Sequence, residues 1–107
     1  MASPDRKKEF KARVRHWAEE LVVNIVWLAV RPMRKKWASC STKGHLNFST
    51  DLLELDRAVW DYAIVHELLH FSVPNHGKLW KSLMRAHLGD YEEAEAKLRQ
   101  SIPVSER

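Results

Sequence analysis

The sequence predicts a single α+β domain with an N-terminal helix, a small antiparallel sheet of about three strands, a central helix and one or two C-terminal helices. Three features support this fold class: apolar residues at helical spacing near the start, a stretch rich in β-branched residues followed by turn residues, and a long segment that is apolar on nearly all sides. At 107 residues the chain fits one domain, expected over 1–107 with frayed ends at 1–4 and 103–107.

The first predicted element is an amphipathic helix over about 5–22. Its apolar residues Phe10, Val14, Trp17 and Leu21 recur every three or four positions among charged residues. In a helix this spacing aligns the four side chains on one face. We therefore expect the helix to pack on the rest of the domain through that face.

Three short strands are predicted between the first and second helices. β-branched and aromatic residues become frequent over 24–30, and Pro32 ends that strand or places it at an edge. A second strand is predicted over 37–41 and a third over 45–49, joined by the turn-forming residues 42–44. A turn this short joins antiparallel neighbours, so we expect an antiparallel sheet.

The second half of the sequence predicts three helices. The central one covers about 56–71, begins at an aspartate that is a favourable N-cap, and ends before Pro74. It is apolar almost all round, which is typical of a buried helix. A third helix is predicted over about 77–88, closed by Gly89, and a charged last helix over 91–100.

Composition indicates an ordinary folded protein in a reducing compartment. Apolar residues make up 45% of the chain and charged residues 30%. Cys40 is the only cysteine, so no internal disulfide can form. The polar N terminus has no signal-peptide pattern, and the most apolar stretch, 21–30, is shorter than the roughly 20 residues of a membrane-spanning helix. We expect a cytoplasmic protein without membrane association, and the sequence does not indicate its oligomeric state.

The central helix carries the pattern His66-Glu67-Leu68-Leu69-His70, in which two histidines stand four residues apart. Residues at this spacing lie one helical turn apart on the same face, so both imidazoles can reach one metal ion. Glu67 is rotated about 100° from His66 and lies beside the ion rather than under it. From that position it can take a proton from a metal-bound water.

A third histidine completes the expected site. His76 follows His70 after a short loop in which Pro74 ends the helix, and Gly77 then allows the backbone to turn. Three neutral imidazoles with one open position are typical of a catalytic Zn2+ ion. The predicted activity is hydrolysis of peptide bonds in a protein or peptide substrate, with Glu67 as the general base.

Other residues near the predicted site have no assigned role. Cys40 could offer a thiolate to zinc, but three histidines suffice and a small buried cysteine is the commoner case. Stabilisation of the oxyanion needs a further donor, and no motif selects among Asn75, His45 and Arg85.

The net charge of +4 is concentrated in two basic clusters. One lies on the N-terminal helix and the other lies over 31–43, with no acid among its members. The N-terminal cluster consists of Arg6, Lys7, Lys8, Lys11, Arg13 and Arg15, and the second cluster of Arg31, Arg34, Lys35, Lys36 and Lys43. A solvated helix face and a charged edge strand explain both, and nucleic-acid binding is an alternative that we favour less.

These motifs resemble the YgjP-like metallopeptidase family of predicted metal-dependent hydrolases. The resemblance covers about 25–100 and includes Lys36-Trp37-Ala38-Ser39-Cys40-Ser41, Leu46-Asn47-Phe48, the run 61–70, Pro74-Asn75-His76-Gly77, Leu79-Trp80 and Gly89-Asp90-Tyr91. It implies the compact fold of minimal zincins, zinc ligation by the three histidines, and Glu67 as base. Two departures stand out: Ala38 replaces a glycine of the family pattern, and typical members carry an additional N-terminal β-rich portion.

Two other functions stay open from the sequence. SprT-like and WLM peptidases share a similar helix and third histidine and act on DNA–protein crosslinks, and the basic N-terminal helix would then dock DNA through phosphates. The other function is a non-catalytic zinc-binding module, or a latent enzyme whose own C-terminal segment covers the cleft. Hydrolysis by the wild type that is lost in Glu67→Gln would exclude the non-catalytic module.

Overall fold

The computed structural model describes residues 4–34, 36–41, 43–73 and 76–102. Its elements are α1 (Pro4–Leu21), β1 (Trp27–Arg31), β2 (Ala38–Cys40), β3 (His45–Ser49), a 3₁₀ helix (Thr50–Glu54), α2 (Arg57–Leu69), α3 (Lys78–Leu88) and α4 (Glu92–Ser101). The predicted α+β fold class and the order of its main helices and strands are therefore confirmed. Within the described part of the chain, no helix has the length and apolar content needed to cross a bilayer.

Some element boundaries differ from those expected. Pro4, predicted to fray, is the first residue of α1, and α2 ends at Leu69 rather than near Phe71. The 3₁₀ helix that precedes α2 was not indicated by any sequence pattern. Residues named in the sequence analysis that lie outside the described ones are 1–3, Lys35, Thr42, Pro74, Asn75 and 103–107.

The sheet has the strand order β1-β3-β2 and mixed pairing. β2 and β3 are antiparallel, as the short turn between them predicted. β1 and β3 are parallel, so the expectation of a fully antiparallel sheet is wrong for this pair. Because β3 lies between β1 and β2 in the sheet, the chain that connects β1 to β2 reverses direction and crosses the position of β3. Side chains alternate along a strand in the same way whether it pairs parallel or antiparallel, so the sequence pattern does not reveal this crossing.

The two faces of the sheet differ in burial because side chains alternate along each strand. Leu46 and Phe48 of β3 are fully buried, and Val30 of β1 pairs with Phe48 on the same side. The opposite side, here called the outer sheet face, is formed by Trp27, Ala29, Arg31, Ser39, His45 and Asn47. The inner side is the one that packs on the helices, as the contact of Phe48 with Phe10 of α1 shows.

The core lies between the inner side of the sheet, α1 and α2. Phe10 meets Phe48 and Trp60 edge to face, with ring centroids 5.1 and 5.2 Å away. Ten of the thirteen residues of α2 are buried, which confirms the prediction of a central helix. Because α2 is packed on nearly all sides, the side chains near its end are held in fixed positions.

Hydrogen bonds from two arginines connect α1 to the rest of the domain. Arg13 donates a hydrogen bond to Oδ1 of Asp61 at 2.7 Å, and the indole N–H of Trp17 donates to the same oxygen at 2.9 Å. Arg6 donates to the carbonyl oxygen of Leu53 at 2.8 Å. Two members of the N-terminal basic cluster therefore make contacts within the fold and do not belong to a freely solvated helix face.

Gly44, in the turn between β2 and β3, allows the chain entering β1 to approach closely. Its φ is +92°, and a Cβ atom there would lie 2.9 Å from Cγ2 of Val26 and 3.1 Å from the carbonyl oxygen of Asn24. The Gly44 carbonyl oxygen also accepts hydrogen bonds from the backbone N–H groups of Val26 and Trp27. Any side chain at this position would strain the backbone and push against these contacts.

We expect Gly44→Ala to lower the free energy of unfolding by about 3 kcal/mol, because left-handed backbone strain and a steric clash act together. Gly89→Ala is the matched control, since Gly89 has a φ of +70° but nothing within 4 Å of its Cβ position. Gly89 has a ψ of −132°, outside the left-handed helical region, and backbone strain alone should cost the control about 2 kcal/mol. Urea unfolding of both variants measures the difference, and equal losses would show that the contacts with Val26 and Asn24 relax without cost.

Candidate metal centre

The end of α2 and the turn after it bring three histidines together. His66 lies inside α2, and His70 lies one helical turn later at its C-cap. Beyond the helix, the backbone N–H of Val73 donates to the carbonyl oxygen of Leu69 at 2.7 Å, which turns the chain. His76 follows shortly before α3 begins. Residues that are close in sequence are thus folded into one cluster of imidazoles.

The imidazole rings of the three histidines converge. One ring nitrogen from each residue lies within 4.8 Å of those of the other two. Nε2 of His70 and Nε2 of His76 are 3.2 Å apart. The ring centroids of the three pairs are 5.0, 4.8 and 5.0 Å apart. Across 4–34, 36–41, 43–73 and 76–102, no other set of His, Cys, Asp or Glu side chains converges in this way.

The cluster fits a tetrahedral metal ion. Zinc–nitrogen bonds of about 2.0–2.1 Å place two bound nitrogens roughly 3.3 Å apart, close to the 3.2 Å between the His70 and His76 nitrogens. His66 is buried, and its Nδ1 has no hydrogen-bond partner among the described residues. One cation can satisfy all three ring nitrogens that converge here, so the group suits a bound metal ion better than a purely structural cluster.

Glu67 lies next to these rings and is completely buried. Its Oε2 is 3.3 Å from Nδ1 of His66, although the orientation is not that of a hydrogen bond. Coulombic interactions of a carboxylate are stronger away from bulk water than at the surface. Glu67 can therefore act strongly on charge that develops beside the histidines.

Three aromatic side chains enclose His66. The ring centroids of Trp37 and Trp80 lie 5.0 Å from the His66 ring, and that of Tyr62 lies 5.6 Å away. Trp80 also packs on His76, with centroids 4.4 Å apart. Packing of this kind restricts the orientation of two of the three imidazoles.

Tyr62 belongs to the run 61–70 of the family resemblance but was given no role from the sequence, although one signal was present. It stands four residues before His66 on α2, and residues at this spacing are neighbours on a helix. Its hydroxyl donates to Oε2 of Glu95 at 3.2 Å and so links α2 to α4. Burial raises the pKa of the Tyr62 phenol far above its usual range, and the nearby Glu95 carboxylate adds to this shift. The phenol is protonated at neutral pH in any case, and the raised pKa extends to higher pH the range in which it donates to Glu95.

The remaining residues considered from the sequence lie elsewhere. Cys40 is half-buried on β2 and is not part of the histidine group. His45 belongs to the outer sheet face and packs on Trp27. Arg85 forms ion pairs with acidic side chains that follow α3, and Asn75 lies outside the described residues. These placements do not support His45 or Arg85 as the oxyanion donor.

A buried helix with two histidines one turn apart, a third histidine after it and a small mixed sheet is the arrangement of a metallopeptidase. Residues 4–101 match the family described as "YgjP-like, metallopeptidase domain". The chain therefore belongs to the YgjP-like metallopeptidase family and is a metal-dependent peptidase. The family resemblance seen in the sequence is thereby confirmed.

The fold is similar to those of solved metallopeptidase structures, among them two zymogens. The metallopeptidase zymogen of Methanocaldococcus jannaschii jannalysin is 30% identical with a TM-score of 0.76, and the match covers 85% of this chain and 94% of that one. The metallopeptidase zymogen of Pyrococcus abyssi abylysin is 17% identical with a TM-score of 0.77, and the match covers 92% and 99%. The second likeness concerns the fold alone. No curated protein sequence matches the chain.

Proposed function

We propose that the protein is a zinc-dependent metallopeptidase in which His66, His70 and His76 hold the metal and Glu67 is the general base. The main support is the convergence of three ring nitrogens within 4.8 Å of one another, next to a fully buried carboxylate. Imidazole nitrogens are preferred ligands of zinc, and three of them leave one coordination position for water or substrate.

The side chains of this centre have separate roles in the proposed peptide hydrolysis. A bound zinc ion supplies Lewis-acid polarisation of the scissile carbonyl and lowers the pKa of water. Glu67 accepts a proton from the attacking water and transfers it to the leaving amine. Its burial limits loss of that proton to bulk solvent between the two steps. Trp37 and Trp80 restrict the histidine rings to the orientations in which they converge.

The proposed substrates are proteins or peptides, as for the peptidase family to which the chain belongs. The proposed location is the cytoplasm. Support comes from the single cysteine, Cys40, because proteins of oxidising compartments commonly contain disulfides and this chain can form none internally.

A peptidase assay with controlled metal content tests the proposal. We expect the zinc-loaded protein to cleave members of a quenched-fluorescence peptide library, an excess of chelator to abolish cleavage, and added zinc to restore it. The masses of the products identify the bond that is cleaved. A protein that binds zinc stoichiometrically but cleaves no member of the library would contradict the catalytic proposal as stated and would favour a latent enzyme or a zinc-binding module.

Latency is the second candidate because the jannalysin structure, which is 30% identical to this chain, is described as a metallopeptidase zymogen. A variant truncated after Ile102 separates latency from a non-catalytic module, and Ile102 is kept because it is buried. Activity that appears only in the truncated protein indicates a latent enzyme. Inactivity of both forms, with zinc bound, indicates the module.

DNA docking through the N-terminal helix has weaker support than the charge pattern alone suggests. Arg6 is bound to the carbonyl oxygen of Leu53, and Arg13 is paired with Asp61. Both guanidinium groups make contacts that hold the fold together, so the helix offers fewer cations to phosphates than its sequence contains.

A further inference from the structure

The outer sheet face carries an exposed aromatic side chain beside polar and cationic ones. Trp27 is 52% exposed, a large fraction for so apolar a residue. Its ring packs on that of His45, with centroids 6.1 Å apart. Nε of Arg31 donates to Oδ1 of Asn47 at 2.9 Å, which restrains the guanidinium at this face. Groups that can stack on flat rings therefore share one surface.

The segment that builds the sheet contains no acidic residue. Glu20 precedes it, Asp51 follows it, and residues 21–50 include neither Asp nor Glu. Four of its described cations are exposed, namely Arg31, Arg34, Lys36 and Lys43. None of the four forms an ion pair with a carboxylate of the described residues. Arg31 is on β1, Arg34 and Lys36 lie between β1 and β2, and Lys43 lies between β2 and β3, so exposed cations are present at both ends of the sheet and are available to an anionic partner.

We propose that the outer sheet face binds single-stranded nucleic acid, with Trp27 and His45 stacking on bases and the four exposed cations contacting phosphates. Aromatic stacking combined with a basic track for the backbone is the general basis of single-strand binding. Three strands spaced by about 4.8 Å form a platform about 10 Å wide, on which a few unstacked bases can lie. The proposal rests on this surface alone and is independent of the metal centre.

The chemistry of the face favours a single strand over a duplex or a lipid bilayer. A duplex hides the flat faces of its bases within the stack, so it offers Trp27 nothing to stack on. A bilayer interface would need a continuous apolar patch, whereas Ser39 and Asn47 make the face polar. The exposed Val22 and Val26 belong to the chain before β1 and not to this face.

Fluorescence anisotropy of a labelled oligothymidylate of about 12 nucleotides, titrated with protein at low salt, tests the proposal. We expect Trp27→Ala to weaken binding about tenfold and Trp27→Phe to retain most of the affinity, because stacking requires a ring. Replacing Arg34, Lys36 and Lys43 together by Ala should lower the affinity. It should also reduce the log–log salt slope by about 2, since each phosphate contact of a single strand contributes about 0.7.

The matched charge control replaces three exposed cations of α1, Lys7, Lys8 and Arg15, by Ala. It removes the same charge from a different surface and should bind the oligonucleotide nearly as well as wild type. Thermal unfolding of each variant verifies that it is folded. Absence of binding at low salt, an unchanged affinity in Trp27→Ala, or an equal loss in the charge control would each overturn the proposal. Tighter binding of a matching duplex or of anionic lipid vesicles than of the single strand would also overturn it.

Discussion

Glu67→Gln is expected to lower the kcat of peptide hydrolysis by about 10³-fold, since a positioned general base contributes about 10²–10⁴-fold to the rate. Glutamine keeps the shape of glutamate but cannot accept the proton of the attacking water. Zinc affinity should stay unchanged, because the three imidazoles that converge do not include this side chain. The variant should therefore hold the metal and lack catalysis.

Glu93→Gln is the matched control for this substitution, because Glu93 is exposed on α4. It should retain the kcat of the wild type. Rates on one cleaved peptide and the zinc content per chain are the two measurements. Wild-type activity in Glu67→Gln would place the general base elsewhere, and loss of zinc would make Glu67 a ligand rather than a base.

His76→Ala is expected to weaken zinc binding by at least about 100-fold, since even residues that only support a ligand contribute about 10–100-fold. Cleavage should fall to background when zinc is limiting. His76 is the informative histidine because it lies outside the helices and is only half-buried, whereas His66 is packed inside α2. Removing His76 should therefore leave the fold intact, so that a loss of metal is not a loss of structure.

Competition with a chromophoric chelator measures the zinc affinity, and His87→Ala supplies the control. His87 is exposed near the end of α3 and does not belong to the three-histidine group. Its removal should leave zinc affinity and cleavage as in the wild type. Zinc binding by His76→Ala at wild-type affinity would refute the proposed set of ligands.

Together, Glu67→Gln and His76→Ala distinguish a metal ligand from a general base. A ligand lost from the centre should remove both zinc and activity, whereas a base lost from beside it should remove activity alone. If the protein were a structural zinc module, the wild type and the two variants would have the same metal contents as expected for the enzyme, but the wild type would have no activity. Metal content and rate are therefore needed from each variant.

Local sequence determined the helix that bears the proposed metal ligands and the bounds of one strand. The spacing of His66 and His70 needs only a helix to place both rings on one face, and the apolar composition of α2 required that helix to be buried. The bounds of β3 were predicted as they are found, because alternation along the strand and turn residues before it mark its limits. Each of these features depends on residues a few positions apart.

Strand pairing, the packing around His66 and the set of exposed cations depend on contacts between residues far apart in the sequence. The parallel pairing of β1 with β3, the packing of Trp37 on His66 and the hydrogen bond from Arg6 to Leu53 all join residues far apart in the chain. Strand direction, ring orientation and the set of cations left exposed follow from how whole elements bury their apolar faces against one another. The sequence by itself thus determined the fold class and the histidine-bearing helix. Only the tertiary structure decided what surrounds that helix, because packing between distant elements leaves no periodic signal in a single sequence.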